Sequence, residues 1–122
     1  MASVNCVTSN YLENSMYTVI TRLQLPPHIT PEMAKKHMED SIPAYKGCPG
    51  LVRKYIGCDL EARQAIGVYL WESREQFETY FARVSAMIQA QTGTVPQYEI
   101  FETPVIVDNK SDEVIIEPFP RG

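Results

Sequence analysis

From Met16 to Leu25 the chain alternates. Tyr17, Val19, Thr21, Leu23 and Leu25 fall on one side, and Thr18, Ile20, Arg22 and Gln24 on the other. Period two with one apolar side predicts a strand. Pro26-Pro27 ends it, because proline donates nothing to a ladder. The period then changes. Ala34, His37, Met38, Ser41, Ile42 and Tyr45 recur at helical spacing, behind Thr30 as N-cap and Pro31 at the first helical position. Pro43 sits late in that stripe and predicts a kink or stop, completed by Gly47 and Pro49-Gly50.

Two further strands are expected at Leu51–Gly57 and Gln64–Glu72, joined by Cys58–Arg63. Ser73 to Gln76 fits a capping box. The helix it opens carries Phe77, Tyr80, Phe81, Val84 and Ile88 on one side and meets Gly93 as its stop. Gln97–Val107 reads as a last strand, bent at Pro104, and Glu113–Phe119 as a short extra strand or a segment lying on a partner subunit. The order is β-α-β-β-α-β plus a tail, an α+β, ferredoxin-like arrangement with an antiparallel sheet. Residues 16–107 form its domain, residues 1–15 a loose, aperiodic arm and residues 108–122 a C-terminal tail.

The 122 residues suit one domain, and 44% apolar with 21% charged residues is ordinary for a globular protein. A net charge of -4 argues against a phosphate-backbone binder, and no apolar run approaches the ~20 residues that cross a bilayer. Cys6, Cys48 and Cys58 match no zinc or redox spacing and read as reduced cysteines of a cytoplasmic protein without a signal peptide. There is no glycine-rich phosphate loop and no metal-ligand spacing, so neither a cofactor nor a metal is expected.

With these elements placed, Asp40-Ser41-Ile42, Pro49-Gly50-Leu51, Lys54, Gly67-Val68-Tyr69-Leu70 and Tyr80 resemble the dimeric α+β barrel superfamily. Within it they are most similar to YdhR-like monooxygenases. Tyr69-Leu70-Trp71-Glu72-Ser73 resembles a strand end of the antibiotic-biosynthesis monooxygenases, where a tryptophan at the place of Trp71 lines the substrate pocket. The resemblance implies a homodimeric, cofactor-independent monooxygenase acting on a hydrophobic aromatic or polyketide-like molecule. Cyclases and isomerases of the same fold, working by acid–base chemistry, are the alternative, as is a non-catalytic small-molecule-binding dimer.

The residues themselves offer a pocket between the sheet and the two helices. Tyr69 and Trp71 share one strand face and carry polar tips suited to gripping a planar substrate. His37, on the stripe of the first helix, supplies an imidazole as acid or base. His37, Tyr69 and Trp71 are thus the catalytic candidates. Met38, Ile42, Tyr45, Tyr55, Phe77, Tyr80 and Phe81 are the substrate-binding candidates. Arg53, counted on the face of Leu51 and Tyr55, is an outward or dimer-contact charge, or an enolate partner if turned inward. Lys54 reads as one half of a structural ion pair. A bare sheet face, rich in large residues, predicts a homodimer, with Val114-Ile115-Ile116 as the segment that crosses to the partner.

Overall fold

The computed structural model of the chain describes residues 5–8, 16–93 and 95–119. In chain order the elements are β1 (Asn5–Thr8), β2 (Tyr17–Gln24), α1 (Pro31–Asp40), α2 (Ile42–Tyr45), β3 (Leu51–Asp59), β4 (Gln64–Trp71), α3 (Arg74–Thr92), β5 (Gln97–Glu102), β6 (Val105–Asp108) and β7 (Glu113–Ile116). β3-β4-β2-β5 form a four-stranded sheet, every neighbouring pair antiparallel. With α1 and α3 as its connecting helices, this is the expected α+β, ferredoxin-like topology.

The ends of the elements obey local chemistry. The Thr30 hydroxyl accepts from the Met33 N–H at 3.2 Å and opens α1 on Pro31. At the other end Ser41 donates its hydroxyl to the Met38 carbonyl at 2.6 Å, and Pro43 falls within the single turn of α2, which stops after four residues. Ser73 caps α3 by accepting from the Gln76 N–H at 3.2 Å, and Gly93 closes it at φ 74°, in the left-handed region that glycine occupies without steric cost.

The two sides of the large sheet differ because β2 and β4 pair in full register. Tyr17 lies opposite Trp71, Val19 opposite Tyr69 and Thr21 opposite Gly67. These positions face the helices. Val19, Tyr69, Trp71, Phe77 and Tyr80 make the core there, with Val19 and Trp71 0% exposed. On β3 a register shift lies between Leu51 and Arg53. Leu51 pairs with Trp71 and packs against the core, whereas Arg53 pairs with Leu70 and Lys54 with Tyr69. The irregularity inverts the alternation. Arg53 and Tyr55 share the sheet's far face without Leu51, and Lys54 turns toward the helices.

The expected last strand divides at Thr103-Pro104. β5 stays in the large sheet, and β6 joins β7 in a separate three-stranded sheet, order β1-β7-β6. Proline cannot continue the β5 ladder, but its carbonyl accepts from the Glu117 N–H at 2.8 Å and ties the two segments together. Asn5–Thr8, inside the segment read as a loose arm, pairs parallel with β7 from Asn5↔Glu113 to Thr8↔Ile116. The rest of that arm lies outside the described residues. Arg53 and Asp108 form an ion pair at 2.8 Å that pins the end of β6 to β3.

Candidate functional site

A cavity of about 160 Å³ opens between the large sheet and the helices. The sheet contributes Thr21, Leu23, Lys54, Ile56, Gly67 and Tyr69, while the helices contribute Met38, Ser41, Tyr45, Tyr80, Phe81, Val84 and Ile88. Its walls are mostly apolar, with a few convergent polar tips, the composition of a small-molecule site.

Three tyrosines and one lysine give it chemistry. The rings of Tyr45, Tyr69 and Tyr80 form a triangle with centroid separations of 6.2, 6.0 and 5.9 Å. The hydroxyls of Tyr69 and Tyr80 lie 3.5 Å apart, a long contact. Tyr69 takes this place because Gly67, two residues earlier on the same face, has no side chain. A Cβ there would lie 2.9 Å from the Tyr69 ring and 2.7 Å from Thr21 Oγ1. Burial, the largest cause, pushes the Tyr69 hydroxyl up to about 12. Burial and the neighbouring Tyr69 also push Tyr80 well above the ordinary tyrosine value. Both therefore stay protonated and act as neutral hydrogen-bond donors.

The Lys54 ammonium nitrogen lies 3.2 Å from the centroid of the Tyr45 ring and 4.3 Å from that of Tyr69. Ring faces attract the ammonium form. Burial acts the other way and lowers Lys54 from 10.5 to about 7. Among the described residues Lys54 forms no ion pair, contrary to the expectation for it. The ion pairs among the described residues are Arg22–Glu99, Lys36–Asp40, Arg53–Asp108 and Arg74–Glu78. Near neutral pH the site thus holds a lysine divided between ammonium and free amine, facing tyrosine hydroxyls that keep their protons. Such a group accepts a proton from an acidic O–H or C–H, and its ammonium form then balances the resulting anion.

The sequence candidates separate on this map. Tyr69, Met38, Tyr45, Tyr80 and Phe81 line the cavity. Trp71 and Phe77 do not. They lie beneath it in the core, Trp71 packed on Tyr80 at 5.2 Å between centroids and on Phe77 at 6.0 Å. The Trp71 indole N–H is buried without an acceptor among the described residues. Ile42 is 50% exposed and lines a neighbouring groove of about 310 Å³ that shares Tyr45, Lys54 and Ile56 with the cavity. Tyr55 is 59% exposed on the opposite face of the sheet, where its hydroxyl accepts from Arg53 at 3.4 Å.

His37 is exposed and lines no part of the cavity. A helix turns about 100° per residue, which sets His37 about 60° to one side of buried Ala34 and Met38 about 40° to the other. The buried direction runs through Ala34, Met38 and Ser41, so His37 falls outside it. Lys54 and Thr21 were missed as site residues. The face of Thr21 was legible in the β2 alternation, whereas that of Lys54 depends on the irregularity between Leu51 and Arg53, which leaves no mark in the pattern of polar and apolar residues. Among the described residues no group of three or more His, Cys, Asp or Glu could hold a metal, and no helix is long and apolar enough to cross a membrane.

No protein-family model matches the chain, and no curated protein matches it significantly. Solved structures do. SnoaB of Streptomyces nogalater, a cofactor-independent oxygenase, is 14% identical with a TM-score of 0.53, covering 73% of this chain and 93% of its own. A Bordetella bronchiseptica protein named for the antibiotic biosynthesis monooxygenases is 18% identical with a TM-score of 0.55, covering 73% and 97%. NE2512 of Nitrosomonas europaea, of unknown function, is 11% identical with a TM-score of 0.58, covering 75% and 91%. The likeness establishes the fold alone, one shared with structures named for the antibiotic biosynthesis monooxygenases.

Proposed function

We propose that the cavity is the substrate site of a cofactor-independent oxygenase acting on phenolic or enolic aromatic compounds. The observation that carries this reading is the Lys54 amine, brought to about 7 by burial and set among the tyrosines of an apolar cavity. Free Lys54 takes the proton from the substrate hydroxyl or enolisable carbon. The ammonium so formed, with the Tyr69 hydroxyl as donor, holds the oxyanion. The electron-rich anion then reacts with dioxygen. A cavity of about 160 Å³ suits one aromatic ring, since cavities on that order bind benzene. The remainder of a larger substrate extends past Tyr45 into the adjoining groove. The fold shared with SnoaB, itself a cofactor-independent oxygenase, supports the reaction class by analogy.

The test is oxygen uptake with a panel of single-ring and fused-ring phenols. Activity is expected in the native chain and lost in Lys54→Met, with Tyr69→Phe lowering kcat more than it raises KM. Turnover that continues unchanged without oxygen would sink the oxygenase reading and favour cyclisation or isomerisation at the same site.

We also propose that the chain is a homodimer through the sheet's open face. Ile20, Val68 and Leu70 are half-buried there beside exposed Tyr55 and Phe101, an apolar surface that two-fold pairing would cover. Light scattering at micromolar concentration checks it. Leu70→Glu is expected to give monomers, and a native chain that is already monomeric refutes the dimer.

A further inference from the structure

We infer that Lys54 captures carbonyl compounds, an apolar aldehyde or ketone condensing with its amine to an imine inside the cavity. The inference rests on the reading of the cavity as a small-molecule site but adds a different bond and a different ligand class.

The position of the amine is the ground for it. Lys54 is common to the inner cavity and the outer groove, so its nitrogen stands where a ligand passes from one to the other. No carboxylate among the described residues pairs with it, whereas Lys36 is held by Asp40 at 3.1 Å. Lys35, Lys46 and Lys110 are exposed and lie outside the apolar cavity. Leu23, Phe81 and Val84 supply apolar walls that exclude water and so protect an imine from hydrolysis. The Tyr45 and Tyr69 ring faces that now flank the ammonium would flank the iminium equally well, because the ring quadrupole attracts either cation. Burial lowers the amine to about 7, which leaves a substantial share of it free and nucleophilic at neutral pH.

The chemistry balances without a further reactant. The amine nitrogen attacks the carbonyl carbon, a C–N bond forms, and the carbonyl π pair moves to oxygen. Nitrogen gives up a proton and oxygen gains one, producing a carbinolamine. The C–O bond then breaks, hydroxide leaves with a second proton as water, and the nitrogen lone pair closes the C=N bond. Nothing is oxidised or reduced, and one water is released per imine.

Reductive trapping tests this on the full chain, with benzaldehyde as the probe and cyanoborohydride as the reductant at neutral pH. Intact mass and peptide mapping are expected to show one benzyl group on Lys54, formed at least about ten-fold faster than on any other lysine, since an ordinary lysine keeps under about a thousandth of its amine free at that pH. Lys54→Met keeps a side chain of similar length without the amine and should abolish the adduct, with an unchanged far-UV circular dichroism spectrum showing that the variant is folded. Prior incubation with phenol should slow labelling of Lys54 alone. Benzyl groups spread evenly over the exposed lysines, with no excess on Lys54, would overturn the inference. If phenol binds but Lys54 is not trapped, carbonyl capture fails while the substrate site stands. If neither phenol nor benzaldehyde binds, both fail.

Discussion

On one face of the four-stranded sheet Val19, Tyr69 and Trp71 are closed over by Phe77 and Tyr80. On the other, Ile20, Val68 and Leu70 look out between exposed Tyr55 and Phe101. The same strands supply both faces, and both are rich in large apolar residues. What separates them is the disposition of the polar groups. Across the open face the charges are matched in pairs, Arg22 with Glu99 and Arg53 with Asp108. Under the helices a lysine and tyrosine hydroxyls are enclosed with no carboxylate among the described residues to match them. Burying polar groups that are not neutralised costs stability, and folds keep them mainly where a ligand uses them. On the function proposed above, the covered face serves chemistry and the open face assembly.

The comparison breaks most severely at Trp71. Its side chain is 0% exposed and touches Tyr69, Phe77 and Tyr80. Trp71→Ala is expected to cost about 3–5 kcal/mol in urea denaturation, as removal of a fully buried aromatic does. On the open face, truncation of Tyr55 should cost well under about 1 kcal/mol in the monomer and act on assembly instead. Equal losses at the two positions would show that the faces are not energetically distinct.

Two glycines on adjacent strands sharpen the contrast. Gly67 faces the cavity, where an added Cβ meets Thr21 Oγ1 at 2.7 Å and the Tyr69 ring at 2.9 Å. Gly67→Ala must displace that ring and is expected to cost about 1–3 kcal/mol, with a change in the near-UV circular dichroism of the tyrosines. Gly57, paired to Ile66, also borders the cavity but has nothing within 4 Å of such an atom. Gly57→Ala should be neutral or slightly stabilising. A thermal melt of both variants decides it, and a tolerated alanine at Gly67 would show that Tyr69 does not depend on this gap.

These contrasts also mark how far the sequence reached. The alternation in β2, the caps at Thr30 and Ser73, and the α3 stripe from Phe77 to Ile88 carry the fold, because each depends on residues close in the chain. The aromatic part of the site was legible for the same reason, Tyr69 lying on the same face as Val19. The lysine was not. A one-residue irregularity between Leu51 and Arg53 changes the face of every later residue in β3, and it arises from pairing with β4 across the sheet. His37 falls outside the cavity by angle rather than by spacing, since i+3 and i+4 lie on opposite flanks of Ala34 and Met38 alone of the two is half-buried. Thr103-Pro104 showed a bend, but the departure of β6 into a second sheet depends on its pairing with β7.

A smaller effect concerns pH. Lys54 falls from 10.5 to about 7 on folding, so between those values the unfolded chain binds a proton that the folded chain does not. Stability therefore rises with pH across that window. Tyr69 acts above it. Its folded value of about 12 exceeds 10.0, so the folded chain holds a proton that the unfolded chain has lost, and stability declines as pH passes from 10 toward 12. Denaturation midpoints measured from about pH 6 to 11 should thus pass through a maximum near 10. In Lys54→Met the rise from neutral pH should shrink by about 1–2 kcal/mol, less than a wholly buried amine would give because the side chain keeps some solvent contact. An unchanged slope in Lys54→Met would place the amine in water and remove the distinction between the two faces at its chemical centre.

The smallest expected effect falls on His37. The imidazole is exposed on α1, and the cavity is lined beside it by Met38 and Ser41. His37→Ala therefore removes neither core volume nor a cavity wall. Stability should stay within about 0.5 kcal/mol of the native chain, and phenol turnover should be unchanged in both kcat and KM. Met38→Ala, one residue on and half-buried against the cavity, supplies the contrast. It should raise KM by widening the site while leaving Lys54 and the tyrosine hydroxyls in place. If His37→Ala instead abolished turnover with the fold intact, α1 would have to rotate by about 60° in the active state to bring the imidazole inward. The boundary between the covered face and the solvent would then run through the helix itself rather than along its edge.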